Sequence, residues 1–510
     1  MARLSVRLIP LLLALLLLSG CAGVRSYVDD PQLAGRPQCA SLLATMEQRI
    51  RTHGVADALG SPLIDYPYLR SNRWLASFSG ELHSDAQFYS WYRQLAWLGQ
   101  QARGYELDNL PADARFSPNQ RSLIETCLAH LAERDARAPG YRQRLLAAAQ
   151  VDDAYNDGLR ILGLFPLTRQ LVLYKVNAAQ REWRRRFNAP AQRHGPSRLY
   201  RPAGEDGLAT QSPPAGEPAG QLMAAQIAAH PLAWPLLPPA DLARLFAEHA
   251  PQWQLFTHSP ADRIGFPSWR DGELQVDTQD PVTFLLPSFT RFAGQTLLQL
   301  NYLIWFPERP VQGGWDIYAG KLDGVIWRVT LNPDGSVLLY DSIHACGCYH
   351  LVFPVDPRLR AKPLSSQTEA PLILTEVLPS REARLRLQLT PSEHFLMGIQ
   401  VALPEGETYR RVSYHALRSL PTGQGQRRSL FGADGLIRAS QRPERWLLWP
   451  MGVPSAGAQR IWGQHAVSFA NKRHFDDAFL FEELFEELLE TPLAREPAGA
   501  ESAPPLGAQP

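Results

Sequence analysis

The chain has 510 residues, with 51 Lys plus Arg against 50 Asp plus Glu, a formal net charge of +1. So even a balance supplies no bulk field for nucleic acid or anionic lipid, and no nucleic-acid partner is expected. The 13 Trp, 20 Phe, 16 Tyr and 43 Pro exclude a disordered or fibrous polymer and give material for two or three cored domains with many turns.

The first element is an export signal. Arg3 and Arg7 precede an apolar run from Leu8 to Leu18, then the small residues Ser19 and Gly20 and then Cys21. A helical span of the roughly 30 Å hydrocarbon core needs about 20 apolar residues, so this shorter run reads as a cleavable h-region. Leu18, Ser19, Gly20 and Cys21 resemble the lipobox of bacterial lipoproteins. The resemblance covers the signal alone and assigns the rest of the chain to no family. It implies cleavage before Cys21, a diacylglyceryl thioether on its sulfur, an acyl chain such as palmitate on its amine, and anchoring in a lipid membrane facing the periplasm. Ala22 and Gly23, in place of the aspartate that retains such proteins at the inner membrane, imply the outer membrane. Residues 1–20 are then the signal peptide and 21–38 a tether.

Residues 39–188 are expected to form a helical domain. Ser84 with Gln87, and Ser117 with Pro118 and Gln120, have the spacing of capping boxes. Leu123, Ile124, Cys127, Leu128 and Leu131 then recur at helical spacing, which places Cys127 on an apolar face. Further helices are expected near 141–151 and 167–187, the latter ending in Arg184, Arg185 and Arg186, where cations suit the carbonyl end. Residues 189–220 turn to Pro, Gly, Ala and Ser and read as a linker. Residues 221–490 are expected to be a β-rich domain with a terminal helix. After a helical patch at 240–249 come short β-branched and aromatic runs at 297–306, 325–331, 337–343, 351–353, 372–378, 383–389 and 395–403. The fold class is therefore α+β, with an antiparallel sandwich or curved sheet after the helical domain. Phe481, Leu484, Phe485 and Leu488 mark the terminal amphipathic helix, and 491–510 a disordered tail.

The segment richest in chemistry is Asp341, Ser342, Ile343, His344, Ala345, Cys346, Gly347, Cys348, Tyr349, His350. Alternate side chains of one strand share a face, so His344, Cys346, Cys348 and His350 would point the same way. At roughly 3.3 Å per residue the outer two stand about 20 Å apart, too far for one ion unless the chain bends at Gly347. Three readings remain open. The four side chains hold a metal, zinc or copper by the softness of sulfur and imidazole. Cys346 and Cys348 form a local disulfide in an oxidising compartment, reducible and open to thiol exchange with His344 or His350 lowering a thiol pKa. Or the cysteines are small core residues or pair elsewhere. With Cys21 lipidated, Cys39 with Cys127 is the least demanding disulfide.

Distant residues that could complete a metal site are Glu308, His394, His415, His465 and His474, with the Asp476 carboxylate behind them to orient a ligand. Trp305, Arg309, Asp316, Tyr318, Asp323, Trp327 and Arg328 put charged and aromatic groups on the flanking segments. The chain contains no H-E-x-x-H helix, P-loop, dinucleotide fingerprint or C-x-x-C-H haem site, and Ser455 lacks the glycine spacing of a nucleophile elbow. Two functions follow as expectations: a metal-dependent envelope enzyme, a hydrolase with Glu308 or Asp341 as base, and a non-enzymatic envelope scaffold or binding lipoprotein whose cysteine segment is a structural or redox disulfide. No small-molecule or protein partner is specified by the residues.

Overall fold

The computed structural model describes residues 36–187, 189, 195–204, 219–365, 367–375, 384–423 and 425–487. The signal segment, Cys21, most of the tether and the tail expected at 491–510 lie outside the described residues, as does much of the interval 189–220.

The N-terminal half contains helices α1 (Pro37–His53), α2 (Arg73–Ala76), α3 (Asp85–Asp108), α4 (Pro118–Ala136), α5 (Tyr141–Ala148), α6 (Asp157–Leu162) and α7 (Phe165–Arg186), with the hairpin β1 (Ser61–Leu63) and β2 (Tyr66–Ser71) between the first two. Both capping boxes form. Ser84 and Ser117 accept from the backbone N–H of Gln87 and Gln120, whose side chains accept from the cap N–H groups. Two otherwise orphaned donors are thereby satisfied at each helix start. α3 lies so close to β2 that a Cβ on Gly99 would stand 2.3 Å from the Tyr68 carbonyl oxygen, so only glycine fits there. Trp91, Leu95, Leu43, Ile124 and Leu128 fill the core, into which Trp234 also reaches. Cys39 of α1 and Cys127 of α4 are joined as a disulfide, their Cα atoms 5.4 Å apart.

The second half continues with β3 (Ser197–Pro202), α8 (Ala219–Ala229), α9 (Pro239–Glu248), β4 (Gln252–Phe256), β5 (Phe266–Arg270), β6 (Glu273–Asp277), β7 (Val282–Phe292), β8 (Gln295–Arg309), β9 (Gly320–Leu331), β10 (Val337–His344) and β11 (Leu351–Pro354). Then come β12 (Leu359–Ala361), β13 (Leu372–Ile373), β14 (Leu385–Leu389), β15 (Leu396–Val401), β16 (Glu407–Ser413), β17 (Leu420–Thr422), β18 (Gln426–Arg428), α10 (Arg445–Leu448), α11 (Leu480–Leu484) and β19 (Phe485–Glu487).

Eleven strands make one curled sheet in the order β13-β11-β10-β9-β8-β7-β16-β3-β4-β14-β15. The meander β7 to β11 is antiparallel, as short connections between sequential strands require. β16 runs parallel to both β7 and β3, β14 parallel to β4 and β13 parallel to β11. The antiparallel expectation therefore fits the centre of the sheet, and the whole is mixed. β3 falls inside the interval read as a linker and brings the buried Tyr200 into the sheet.

The near-continuous apolar sequence of β8 reflects burial of both faces. Leu300, Tyr302, Ile304 and Phe306 pack toward Phe246 and Trp253, whereas Leu303 and Trp305 meet Leu417, Phe431 and Phe475 from the C-terminal segment. At the far end α11 is short. Its Phe481 and Leu484 are buried against Leu339 and Val352, and the chain then extends as β19 to pair with β12. Among the described residues no helix is long and apolar enough to cross a membrane.

Candidate thiol site

The cysteine segment is a reversal between β10 and β11. His344 donates its N–H to the Cys348 carbonyl at 2.9 Å, and Gly347 donates to the His344 carbonyl at 2.8 Å. Gly347 takes φ +97°, and a Cβ there would lie 2.3 Å from the Ala466 carbonyl oxygen, so both conformation and space demand glycine. Arg460 N–H donates to the Ala345 carbonyl at 3.0 Å, tying the turn to the C-terminal segment.

Reversal separates the two histidines. Across the hairpin Ser342 pairs with Leu351 and Asp341 with Val352, so a residue of one strand shares its face with residues of opposite parity on the other. His344 consequently sits with Tyr349, ring centroids 4.7 Å apart, while His350 turns to the other face. There His350 Nε2 lies 3.3 Å from Asp341 Oδ2, and Asp341 also accepts from Arg328 Nε at 2.8 Å. The Arg328 guanidinium stands 3.6 Å over the Phe475 ring. This buried triad is a cross-strand pair, Arg328 being opposite Asp341 in the β9–β10 register.

On the first face, Asp323 collects four groups. His394 Nδ1 lies 2.9 Å from its Oδ2, His344 Nδ1 3.6 Å from its Oδ1, and Arg442 Nη2 and Gln459 Nε2 each donate to Oδ1 at 3.2 Å. His394 is stacked flat on Phe306 with centroids 3.7 Å apart, and its Nε2 lies 3.4 Å from Asp262. Burial pulls the His394 pKa down, but the carboxylates of Asp262 and Asp323 outweigh it and hold the value above the ordinary range. His394, held between two carboxylates, thus favours its protonated form more than a free imidazole does. For His344 burial outweighs Asp323 and lowers the pKa, leaving a neutral ring whose Nε2 is buried with no hydrogen-bond partner among the described residues.

The two thiols face each other. Cys346 is buried, Cys348 is half-buried, and the Cys348 N–H donates to Cys346 Sγ at 3.4 Å. The hydrogen bond from the Cys348 thiol lowers the Cys346 pKa against the effect of burial, with Arg442 assisting. The same bond, together with burial, pushes Cys348 up. The pair therefore titrates in two steps, Cys346 giving up its proton more readily than Cys348. Glu444 is electrostatically coupled to both sulfurs, and burial raises its carboxyl to about 7 in spite of Arg442, Arg309 and Arg460. Arg460 is buried, its side chain donating to the carbonyls of Pro454, Ser455 and Ala458, and its charge is felt by both cysteines.

Of the sequence candidates, Cys346 and Cys348 are brought together, while His344 and His350 each have their own aspartate on opposite faces. Among the described residues no three His, Cys, Asp or Glu side chains are gathered as metal ligands. Glu308 is exposed on β8, and Asp316 closes its own loop by accepting from Gln312 N–H and Tyr318 N–H. His415 contacts Arg418 at 3.1 Å, His474 contacts Asp153 at 3.1 Å, and Asp476 pairs with Arg73 at 3.1 Å, so each has a partner of its own. His465 is buried beside Trp462 and Phe475, where burial and the Arg460 charge take its pKa to about 3. Asp262, Arg442, Glu444, Gln459 and Arg460 were not legible as site residues, because nothing near them in sequence marks them. Comparison with protein-family models, curated proteins and solved structures finds no match to this chain.

Proposed function

We propose that the protein is a lipid-anchored lipoprotein of the bacterial outer membrane, facing the periplasm, whose Cys346–Gly347–Cys348 turn exchanges thiols with disulfides. The anchoring part is supported by Leu18, Ser19, Gly20 and Cys21 behind their apolar run. One observation carries the exchange: Cys346 and Cys348 are held together at a glycine turn, the Cys348 N–H 3.4 Å from Cys346 Sγ, beside Arg442 and a buried carboxyl raised to about 7. A thiolate is the nucleophile of exchange, and its activity is greatest when its pKa lies near the ambient pH.

The Cys346 thiolate attacks a sulfur of a partner disulfide, whose S–S bond breaks as the mixed disulfide forms. The released thiolate takes from water the proton that Cys346 gave up to it. Cys348 then passes its proton to Glu444 and attacks Cys346 Sγ, closing the Cys346–Cys348 bond and expelling the second partner thiolate, which takes that proton back from Glu444, so that the partner leaves with two thiols. Two electrons leave the Cys346–Cys348 pair and two enter the partner.

Equilibration against oxidised and reduced glutathione, with thiols counted by alkylation, tests the reading. Two thiols should interconvert reversibly while Cys39 and Cys127 stay bonded. Cys348→Ser should trap a mixed disulfide that Cys346→Ser does not form. Inert thiols in a folded protein would sink the proposal. So would stoichiometric zinc or copper blocking both cysteines, and that outcome would favour the metal-site reading.

A further inference from the structure

The corner between α6 and α7 exposes more apolar surface than packing explains. On α7, Leu167, Leu171 and Tyr174 recur at i, i+4 and i+7 and are 66–72% exposed. Ile161, Leu162 and Leu164 extend the same surface around the corner, Ile161 being 75% exposed. Leu164 holds φ +50°, a conformation uncommon for a bulky side chain, while presenting that side chain to solvent.

A second element adds to the patch. The ideal Cβ position at Gly163 is 2.4 Å from Pro450 Cβ, Arg160 Nε donates to the Met451 carbonyl at 2.8 Å, and Asn156 N–H donates to the Gly452 carbonyl at 2.7 Å. These contacts lock the corner against the segment that carries Trp446, Leu447 and Trp449, all of them exposed. Monomeric soluble proteins rarely leave contiguous apolar patches beyond a few hundred Å².

Charge identifies the occupant. Arg169, Lys175 and Arg181 are the only ionic residues from Phe165 to Arg181, and Arg445 lies 4.6 Å from the centroid of the Trp446 ring. Among the described residues Arg169, Lys175 and Arg445 have no carboxylate within salt-bridge distance; Arg169 and Arg445 bond to the neutral Gln367 and Gln441. Apolar side chains flanked by tryptophans and unneutralised cations fit the headgroup boundary of a bilayer, where indoles settle and basic residues meet anionic lipid.

We propose that this patch docks on the surface of an anionic phospholipid bilayer, laying α7 and the Trp446–Trp449 segment into the headgroup layer. The proposal rests on the envelope reading only in taking a membrane as the neighbour. It does not require that Cys21 be acylated, nor that the thiols react. Acyl chains on Cys21 would tether the protein without orienting it, and a second contact of this kind fixes its orientation.

The test uses the full chain carrying Cys21→Ser, mixed with phosphatidylglycerol-containing vesicles whose acyl chains are brominated. Residues 1–20 contain no tryptophan, so insertion of that segment by itself quenches nothing, and the loss of quenching in the tryptophan variant assigns the signal to the patch rather than to the exposed Trp97 or Trp315. Part of the tryptophan emission should be quenched, the quenching should weaken with salt, and the quenched component should vanish in Trp446→Phe/Trp449→Phe. Leu167→Glu/Leu171→Glu should weaken the vesicle affinity read by this quenching by about tenfold or more. Emission that stays unquenched on vesicle-bound protein would overturn the proposal, as would quenching indifferent to both double variants. A concentration-dependent dimer abolished by Leu167→Glu/Leu171→Glu, without quenching, would overturn it in favour of a second copy of the chain. Loss of thiol exchange alone would leave these outcomes unchanged.

Discussion

Glu444 is 4% exposed, and its carboxyl stays protonated to about pH 7, where an unfolded chain releases the proton near 4.5. Between those values the folded protein binds a proton that the unfolded chain does not. The protonated carboxyl therefore favours folding fully below pH 4.5, and that contribution is lost as pH rises through about 7. One pKa unit is worth about 1.4 kcal/mol, so ionisation of this one side chain costs on the order of 3 kcal/mol by pH 8. Glu444→Gln, which keeps the shape and removes the charge, should be more stable than the parent at pH 8 by that order and nearly equal to it at pH 4.5. Urea unfolding at both pH values measures the difference. A variant that tracks the parent at every pH would show that Glu444 ionises without cost, and the raised carboxyl could not then serve the thiols as proton acceptor.

At the scale of elements, the disulfide between α1 and α4 closes a loop with a sequence separation of 88. Chain-entropy reasoning gives about 4–5 kcal/mol for a loop of that length, and measured removals fall in the range of about 2–5 kcal/mol. Cys39→Ala/Cys127→Ala should lose that much in urea unfolding. Reductant should destabilise the parent by a similar amount and leave the variant unmoved; equal response of the two proteins would refute the bridge as a stabilising element. Local signals of this half were readable because they act over a few residues: Ser84 and Ser117 find their partners three positions on. The hairpin β1–β2 escaped notice, since Pro62 and Pro67 interrupt its pattern. In the sheet, the meander was readable from turn residues, but the partnership of β16 with β3 and β7 joins segments some 200 and 130 residues apart, and no local spacing encodes it. The cysteine segment shows the same division. Its composition drew attention to the right turn, and the bend at Gly347 was foreseeable. Which face each histidine occupies depends on the register across the hairpin, and the pairing of Ser342 with Leu351 is what sends His344 and His350 apart.

Seen whole, the helical half and the sheet are joined by buried charge around a cleft of about 900 Å³ that is lined from both sides, among others by Arg73, Trp74, Phe289, His415 and Trp462. Arg418, 1% exposed, crosses the boundary. Its Nε donates to Asp57 Oδ2 at 2.8 Å, its Nη1 to Gln101 Oε1 at 2.7 Å, and its guanidinium lies 4.1 Å over the Tyr105 ring. Its own carbonyl accepts from Asn109 Nδ2 at 2.8 Å. Arg73 makes the matching contact from α2 to Asp476 at 3.1 Å. Each half also has its own large core, and the ionic seam is expected to couple their unfolding. Removing one member of a buried pair typically costs about 3–5 kcal/mol, because the other charge is left without compensation. Arg418→Ala strands Asp57 between Arg70, 3.9 Å away, and an emptied site. Calorimetry of the parent should show one transition, and of Arg418→Ala two, the lower belonging to the half that has lost more of its contacts. The disulfide lies wholly in the helical half and so labels the transitions: reductant should move only the one to which Cys39 and Cys127 belong. A single transition merely shifted to lower temperature in Arg418→Ala would mean that the apolar contact of Trp74 with Phe289, ring centroids 4.5 Å apart, couples the halves without help from charge.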